Sequence, residues 1–561
     1  MSGEIKASEA RAPAYGLRVQ VTEDSILVRT LDGSGRGEPL SALFVPVVQE
    51  ADGLHIDDRP TVAASPQPLQ SYSPDDAHVP RKTQKQRVLS KKPVAEEEES
   101  VAPCLFKVPL DEWPEGELVL VLLLYDQSEG IGGNPRRPRT TGRNSTLIDL
   151  VNEALACDSL GELRGGLIRQ RPTKQAAMVD ANVETCVRFA VASCQYPSDI
   201  FNRMPGGSHA TRSPVDASLL ALGKLLNQPD APTLLLMCGD QVYTDATAGL
   251  FDPKVNDQRF RIPHERRGQS RGSMAVMQRL DLTVEMMLDD HEIRDNWAPN
   301  DPESEKPGTG DTILELGKSA YFTYERGMQI ALADVGRAKV WHDIEHQGLS
   351  FFLADTRTDR QPRTVLNWRE AKIMSDDQYG ELREWIKAPA DGPKFVLTAS
   401  ALLPRRLSVS EHCARALHSE GWEGYPASMH RLLKDACDSE VRGLVFLSGD
   451  DHLSNLVTAT VTGIDSGKSC TLHSVHSSGL YSPYPVANGI PADFSGKETF
   501  CFADPENLER KYRCDVETVF APGDGFAVLS AHGDQSGWFL DVEFHDSDGV
   551  KQKGTHKTCR L

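Results

Sequence analysis

The chain has 561 residues, of which 39% are hydrophobic and 25% charged, an ordinary globular mixture that excludes collagen-like, coiled-coil and wholly disordered classes. Its 81 acidic and 61 basic residues give a formal net charge of −20, which disfavours long-range attraction to nucleic acids and anionic membranes. The longest apolar run, residues 118–125, is far shorter than the ~20 residues of a membrane-spanning helix, so we expect a buried strand there and no membrane span.

The cysteines and the N-terminal residues predict a cytoplasmic location. Eleven cysteines are scattered from Cys104 to Cys559, their number is odd and none forms a CxxC pair, which is typical of reduced thiols rather than a disulfide framework. Residues 1–20 contain neither an apolar segment nor the twin arginine of an export signal.

Short segments of alternating apolar and polar residues predict a small β-rich domain over residues 1–185. Residues 57–100 are polar, contain prolines and have segregated charges, which predicts a long loop or a disordered insertion. We expect a basic loop at 132–144 and, from the spacing of its leucines, a helix at 146–170.

From residue 186 apolar strands alternate with helical stretches, which predicts a layered α/β domain over residues 186–561. An amphipathic helix is expected at 215–228, and residues 525–549 are typical of antiparallel strands that close the domain. The motifs of serine hydrolases, P-loop enzymes and Rossmann dehydrogenases are absent in usable context, so those classes have no support.

Four apolar strands end in residue types that bind metals: SCQ at 193–195, GDQVYTD at 239–245, DDHE at 289–292 and GDDH at 449–452. Ligands of α/β sheets lie at such strand ends, and carboxylates buried together there require a compensating charge. Carboxylate, imidazole, phenolate and thiolate groups together suit a dinuclear centre with iron, zinc or manganese, whose ions lie ~3.5–4 Å apart. The alternative is that these residues only cap strands and turns.

The order of these motifs, followed by FFLADTRTDR at 351–360 and WEGYPASMHRLL at 422–433, resembles the PhoD-like (alkaline phosphatase D) family of metallophosphoesterases over roughly residues 186–485. The resemblance implies an α/β fold with a calcineurin-like core of layered mixed sheets and flanking helices. It also implies two or more metal ions, iron together with calcium, zinc or manganese. The implied metal ligands are Cys194, Asp240 (the bridging carboxylate), Tyr243, Asp290, Asp450 and His452.

The resemblance also has departures. SCQ stands where the wider superfamily has DxH, and the strand at 394–400 ends without a metal-binding histidine, so a weakly held or calcium-like second ion is one expectation. Cys194 has an alternative role as an inert buried thiol, because free cysteine is among the most buried residue types.

His291 takes the place of the family's phosphate-contacting histidine and is expected to stabilise a phosphoryl oxygen or assist the leaving group. Arg294 would reach a phosphoryl oxygen, or would pair with Asp295 or Asp289. His473 and His476 line the site or have core and turn roles.

The segment 259–271 contains five arginines, among them Arg261 and Arg266, and is either an entry path for an anionic substrate or a solvated loop. Arg357, in the D-x-R-x-x-R stretch, either contacts substrate or forms a buried salt bridge.

We therefore expect a metal-dependent phosphoric ester hydrolase, a phosphodiesterase or phosphatase that attacks its phosphate-ester substrate with a metal-bridging hydroxide. One alternative is a non-catalytic interaction or regulatory protein on a retained metallophosphoesterase fold, with residues 1–185 as its interacting region. Another is a dinuclear metallohydrolase of a non-phosphate bond. No nucleic-acid-binding domain is evident in the sequence.

Overall fold

The computed structural model describes residues 8–11, 15–22, 24–32, 39–50, 53–67, 102–126, 166–170, 186–197, 214–245, 257–268, 270–299, 310–326, 339–407, 417, 419–482 and 489–561. The described residues form two compact units. The first takes those within 1–180 and 265–283, and the second takes those within 181–264, 284–327 and 338–561. The basic loop predicted at 132–144, residues 68–100 of the predicted insertion and most of the helix predicted at 146–170 lie outside the described residues.

The first unit contains two antiparallel sheets. Its strands are β1 (Ser8–Arg11), β2 (Tyr15–Val21), β3 (Ser25–Asp32), β4 (Ser41–Glu50), β5 (Gly53–Ile56), β6 (Val62–Ala64), β7 (Pro66–Gln67), β8 (Ala102–Pro109), β9 (Leu118–Asp126) and β10 (Leu167–Arg169). One sheet has the order β2-β3-β8-β7, and the other has the order β1-β9-β4-β5 with β6 on β4 and β10 on β9.

The apolar run at 118–125 is strand β9, and it is buried on both faces. Val119 and Val121 pack with Phe106 of the other sheet, whereas Leu120 and Leu122 belong to a separate apolar cluster on the opposite face. A strand buried on both sides needs apolar residues at consecutive positions, which explains why the run does not alternate.

Two predictions in the N-terminal region are wrong in part. Residues 62–64 and 66–67, expected in the loop from 57, are strands β6 and β7, which pair with β4 and β8. Residues 167–169, expected to end a helix, are strand β10, whose Leu167 pairs with Leu120. In both cases a neighbouring strand offers backbone hydrogen bonds and an apolar surface, and this tertiary pairing outweighs the local sequence preference.

The second unit contains two mixed sheets. Its strands are β11 (Cys186–Gln195), β12 (Leu234–Met237), β13 (Thr283–Met286), β14 (His342–His346), β15 (Leu349–Ala354), β16 (Lys394–Thr398), β17 (Leu444–Ser448), β18 (Ser454–Gly463), β19 (Ser469–His476), β20 (Gly479–Tyr481), β21 (Lys497–Asp504), β22 (Asn507–Ala521), β23 (Gly525–Asp534), β24 (Gly537–Asp546) and β25 (Lys557–Arg560). The α-helices of the described residues are α1 (Ala217–Leu225), α2 (Asp257–Gly268), α3 (Arg271–Met277), α4 (Gly310–Ala320), α5 (Asp376–Lys387) and α6 (Pro426–Asp438).

The two sheets of the second unit pack face to face. One has the order β13-β12-β11-β23-β24-β25, with β20 also beside β11, and the other has the order β14-β15-β16-β17-β19-β18-β22-β21. Phe189 of the first sheet makes edge contacts with Phe351 and Phe395 of the second, at centroid distances of 5.4 and 5.1 Å. Helices α5 and α6 cover the other face of the second sheet. The predicted layered mixed sheets with flanking helices are confirmed.

Local sequence explains why α5 begins and packs where it does. Ser375 caps the helix, because its hydroxyl accepts a hydrogen bond from the backbone N–H of Gln378, and acidic residues follow in the first turn. Tyr379, Leu382 and Ile386 recur at helical spacing and are buried against the sheet. Among the described residues, none of the helices combines the length and the apolar character that crossing a membrane requires.

Candidate metal centre

Four carboxylates meet where three strands end. Asp240 follows β12, Asp289 and Asp290 follow β13, and Asp450 follows β17. Each offers an oxygen that lies within 4.8 Å of those of the other three. The first three side chains are buried and Asp450 is partly buried. Burial raises the pKa of Asp240 and of Asp450 well above the usual range of a carboxyl group, and the neighbouring carboxylates raise both further. Protonation or a bound cation would relieve the repulsion within this four-carboxylate cluster.

A thiol and a phenol lie beside the four-carboxylate cluster. The Cys194 Sγ lies 3.5 Å from Oδ2 of Asp240, and burial raises the pKa of the thiol. The Tyr243 hydroxyl is buried and has no hydrogen-bond partner among the described residues, and burial raises its pKa as well. A buried phenol without a partner is costly in a folded protein, and a cation would supply the missing interaction.

His291 lies at the edge of the same region. Its ring centroid is 4.0 Å from that of Tyr243, and its Nδ1 is 2.8 Å from Oδ1 of Asp245. Nε2 is 3.8 Å from a carboxylate oxygen of Asp295, and the side chain is 21% exposed. Burial would lower the pKa of His291, but the carboxylates of Asp245, Asp290 and Asp240 outweigh it and raise that pKa well above its usual value.

His452 approaches Cys194 across the backbone of Gly479. A Cβ at position 479 would be 3.0 Å from Cδ2 of His452 and 3.3 Å from Cβ of Cys194. The structure thus brings the six predicted ligands to one region, although only Asp240, Asp290 and Asp450 of them belong to the four-carboxylate cluster.

The backbone of this region is in an unusual conformation. Within the described ranges, seven non-glycine residues have a positive φ, and four of them are predicted metal ligands. These are Cys194 (φ 49°), Asp240 (φ 57°), Asp450 (φ 83°) and His452 (φ 51°). Left-handed conformations of this kind cost about 1–3 kcal/mol each and cluster at functional sites.

Two glycines permit the close approach of the strand ends. Gly239 has φ +95°, and a Cβ there would be 2.6 Å from Cβ of Asp289. At Gly449 a Cβ would be 2.3 Å from Cβ of Ser193 and 3.0 Å from the carbonyl oxygen of Cys238. Neither position has room for a side chain. In both GD pairs packing therefore requires the glycine, and the aspartate that follows is the candidate ligand.

We expect Gly449→Ala to lower the free energy of unfolding by about 2–3 kcal/mol, because the methyl group overpacks a buried strand end. Urea denaturation measures the effect. Gly380→Ala is the matched control: Gly380 lies in α5 with nothing within 4 Å of its Cβ position, so this change should stabilise the protein by about 0.5–1 kcal/mol. Equal effects of the two substitutions would contradict the steric explanation.

Glu292 is the last residue of the DDHE motif. Its carboxylate accepts hydrogen bonds from backbone N–H groups and is not part of the four-carboxylate cluster. Its Oε1 accepts hydrogen bonds from the N–H groups of Gln241 at 2.7 Å and Val242 at 3.3 Å. Its Oε2 accepts from the N–H groups of Asp240 at 3.1 Å and Asp289 at 2.8 Å. One fully buried carboxylate therefore fixes the two loops that present ligands, a role that the sequence analysis did not assign.

Arg357 forms a buried salt bridge, and its substrate contact stays a prediction. The side chain is 0% exposed. Its Nε donates to Oδ1 of Asp289 at 2.7 Å, its Nη2 lies 3.3 Å from Oδ1 of Asp290, and its Nη1 donates to Oε2 of Glu420 at 2.7 Å. Burial would raise the pKa of Asp290, but Arg357 and His291 outweigh it and lower that pKa.

The segment predicted as an arginine-rich loop is helix α2. Phe260 and His264 are buried one turn apart, and Nδ1 of His264 lies 2.7 Å from the carbonyl oxygen of Phe260. The helix contains Pro263. Arg261 and Arg266 lie on this helix, and their substrate role stays a prediction. Arg259 reaches the GDQVYTD motif, because its Nε donates to the Thr244 carbonyl at 3.0 Å.

The remaining candidates are placed as follows. Arg294 is partly buried, and its backbone N–H donates to the Asp290 carbonyl at 2.5 Å, so its phosphoryl contact stays a prediction. His473 lies between the hydroxyl of Thr458 and the carbonyl of Arg560, at 3.2 Å from each, which is a structural position. His476 is buried, with Nδ1 2.9 Å from the Ser448 hydroxyl.

Three residues of the site were not identified from the sequence. Asp245, which holds His291, and Asp289, which belongs to the four-carboxylate cluster, were visible as acidic residues within the motifs. Glu420 lies two residues before Trp422, and nothing in the sequence marks it as a partner of Arg357.

Fold and site together define a layered α/β protein with a cluster of four carboxylates at its strand ends. Residues 189–485 match the model of the PhoD-like phosphatase family. This match spans more than half of the chain, and the chain belongs to the PhoD-like phosphatase family.

A solved structure shows a similar fold. The structure of PhoD is similar with a TM-score of 0.52 at 14% identity, covering 100% of this chain and 90% of the other. The purple acid phosphatase PPD1 from yellow lupin (Lupinus luteus) seeds gives a TM-score of 0.48 at 10% identity, over 98% of this chain and 74% of the other. No curated protein sequence matches the chain.

Proposed function

We propose that this protein is a metal-dependent phosphoric ester hydrolase. The observation that carries the proposal is the four-carboxylate cluster, whose oxygens lie within 4.8 Å of one another. Oδ2 of Asp289 and the Tyr243 hydroxyl are buried there without a hydrogen-bond partner among the described residues. Buried anions at this density require multivalent cations. Membership of a phosphatase family supports a phosphate ester as the substrate.

The donor set fits two metal ions. The oxygens of Asp240, Asp290 and Asp450 suit calcium or manganese, the imidazole of His452 suits zinc or iron, and the Cys194 thiolate and Tyr243 phenolate suit iron. When bound, the ions would activate water and polarise the phosphoryl group. The thiol and the phenol must lose their protons to ligate, which a bound cation favours and burial alone opposes.

His291 is the residue that would handle the leaving group. Nδ1 is engaged by Asp245, which fixes the ring, so Nε2 is the nitrogen left to donate a proton to the leaving oxygen or to hold a phosphoryl oxygen. Asp245 is itself held, since one of its oxygens accepts a hydrogen bond from the backbone N–H of Asp295.

We expect Asp450→Asn to stabilise the metal-free protein by about 1 kcal/mol or more, because it removes one of four mutually repelling carboxylates within 4.8 Å. Urea denaturation in the presence of a chelator measures this. With Mn²⁺ added, the order should reverse, since the wild type gains more from the cation than the variant does. A variant that is less stable than the wild type in both conditions would show that Asp450 has a purely structural role.

The function is tested by hydrolysis of an aryl phosphodiester and the matching monoester, after the protein has been supplied with iron, zinc, manganese and calcium in turn. Metal-dependent hydrolysis supports the proposal, and the ratio of the two rates directs the search for the substrate. Protein that binds metal but hydrolyses neither ester would favour the binding or regulatory alternative. If the protein hydrolyses an amide and vanadate does not inhibit this activity, the alternative of a metallohydrolase of a non-phosphate bond would be favoured.

A further inference from the structure

Glu420 receives three arginine side chains at the edge of the candidate metal centre. Oε2 accepts hydrogen bonds from Nη1 of Arg357 at 2.7 Å and from Nη1 of Arg360 at 2.6 Å. Oε1 lies 3.5 Å from Nη2 of Arg363. The carboxylate side chain is 24% exposed, whereas the first two arginines are buried. One carboxylate therefore balances a concentrated positive charge that has little access to water.

Arg357 connects Glu420 to the four-carboxylate cluster. Its Nε and Nη2 face Asp289 and Asp290, at 2.7 and 3.3 Å, while Nη1 is held by Glu420. The guanidinium group is planar, so fixing one edge sets the direction of the other. Glu420 therefore contributes to the orientation of the Arg357 plane, and it shares the Arg357 charge with the two aspartates.

The partners of Glu420 are themselves rigidly placed. Nε of Arg360 donates to the carbonyl of Thr356 at 2.9 Å, and its Nη2 donates to the Ser400 hydroxyl at 3.2 Å. The guanidinium carbon of Arg363 lies 4.4 Å from the ring centroid of Tyr425. These contacts hold two of the three cations without Glu420. Arg357 is also held by Asp289 and Asp290, so the loss of Glu420 would mainly change how the Arg357 charge is divided between its partners.

We propose that Glu420 is a positioning residue that acts through Arg357 to set the metal affinity of the four-carboxylate cluster. With Glu420 in place, the Arg357 charge is shared between two opposed anionic groups. Without it, the whole charge acts on Asp289 and Asp290 and competes with the incoming cation. This inference rests on the proposed function, because it concerns the same metal site.

The test is the dissociation constant for Mn²⁺, measured by equilibrium dialysis on Glu420→Gln, a change that removes the charge and keeps the size of the side chain. The constant should rise about 10–100-fold, the usual cost of losing an outer partner of a metal site. Glu420→Asp, which keeps the charge but places it one methylene further from the guanidinium groups, should give a constant between that of the wild type and that of Glu420→Gln.

Glu543→Gln is the matched control. Glu543 is also shared by two cations, Nη2 of Arg188 at 3.2 Å and Nζ of Lys551 at 2.7 Å, and its side chain is 17% exposed. The Glu543→Gln variant should bind Mn²⁺ as the wild type does.

The outcomes separate this inference from the proposed function. Wild-type protein that binds no Mn²⁺ overturns the proposed metal site itself. Wild-type binding with an unchanged constant in Glu420→Gln, or an equal loss in Glu543→Gln, overturns only the role of Glu420. Should Glu420→Gln not fold, the constant is measured on Glu420→Asp, whose carboxylate is one methylene further from both guanidinium groups. A wild-type value there also overturns the inference.

Discussion

Asp240→Asn is expected to reduce the turnover of an aryl phosphodiester by about a thousandfold or more. Asparagine has the same shape, but it carries no charge and is a poor bridging ligand. The Lewis-acid contribution of a bound metal to a phosphoryl transition state is worth several kcal/mol, and each 1.4 kcal/mol corresponds to a factor of ten in rate.

The structure makes this substitution informative, because the loop around Asp240 is held by other groups. Its backbone N–H is fixed by Glu292 at 3.1 Å, independently of the Asp240 side chain. The side chain itself contacts the Cys194 thiol and the backbone N–H of His291, at 3.5 and 3.4 Å. We therefore expect the variant to fold and to lose metal, which elemental analysis of the purified protein checks beside the turnover number.

Asp515→Asn is the control for this prediction. Asp515 is a carboxylate on β22 that accepts hydrogen bonds from Thr499 and Arg513 and is 42% exposed. Its amide variant should retain wild-type turnover and metal content. If Asp240→Asn retained both as well, Asp240 would not be a metal ligand and the proposed reaction would need another centre.

The sequence predicted the strand ends of this site because three physical signals coincide there. An apolar run predicts a buried strand, the glycine that follows two of the strands permits a tight turn, and acidic residues next to it predict a ligand. The structure confirms β12 before Asp240, β13 before Asp290 and β17 before Asp450. Strand β11, which pairs with β12, ends in the SCQ motif as predicted.

The directions of the side chains were not predictable in the same way. DDHE gives four polar residues in a row, and only the backbone path decides which of them turn toward the cluster. Asp290 turns toward it, whereas Glu292 turns back onto the backbone N–H groups of both loops. Arg357 and Glu420 meet only because separate loops fold together, and no local pattern reports such a long-range pair.

The distinction between ligand and backbone anchor leads to an expected result for Glu292→Gln in metal-free protein. We expect the free energy of unfolding to fall by about 3–5 kcal/mol, measured by urea denaturation in the presence of a chelator. Hydrogen bonds to a charged acceptor are worth about 1.5–3 kcal/mol each, and an unsatisfied buried N–H costs about 1–3 kcal/mol. Glutamine keeps one side-chain oxygen. Its NH2 group replaces the other oxygen and would face the backbone N–H groups that donate to that oxygen in the wild type.

The sign of this effect separates the two roles of carboxylates at the site. In metal-free protein the carboxylate of Asp450 is repelled by the other three carboxylates, so its removal should stabilise, as expected for Asp450→Asn. An anchor holds the loops whether or not metal is present, so its removal should destabilise equally in chelator and in Mn²⁺. A different result would be a metal-free Glu292→Gln variant that is as stable as the wild type but has lost much of its Mn²⁺ affinity. Glu292 would then be a metal ligand, and the four carboxylates would be held together by the bound metal rather than by the backbone.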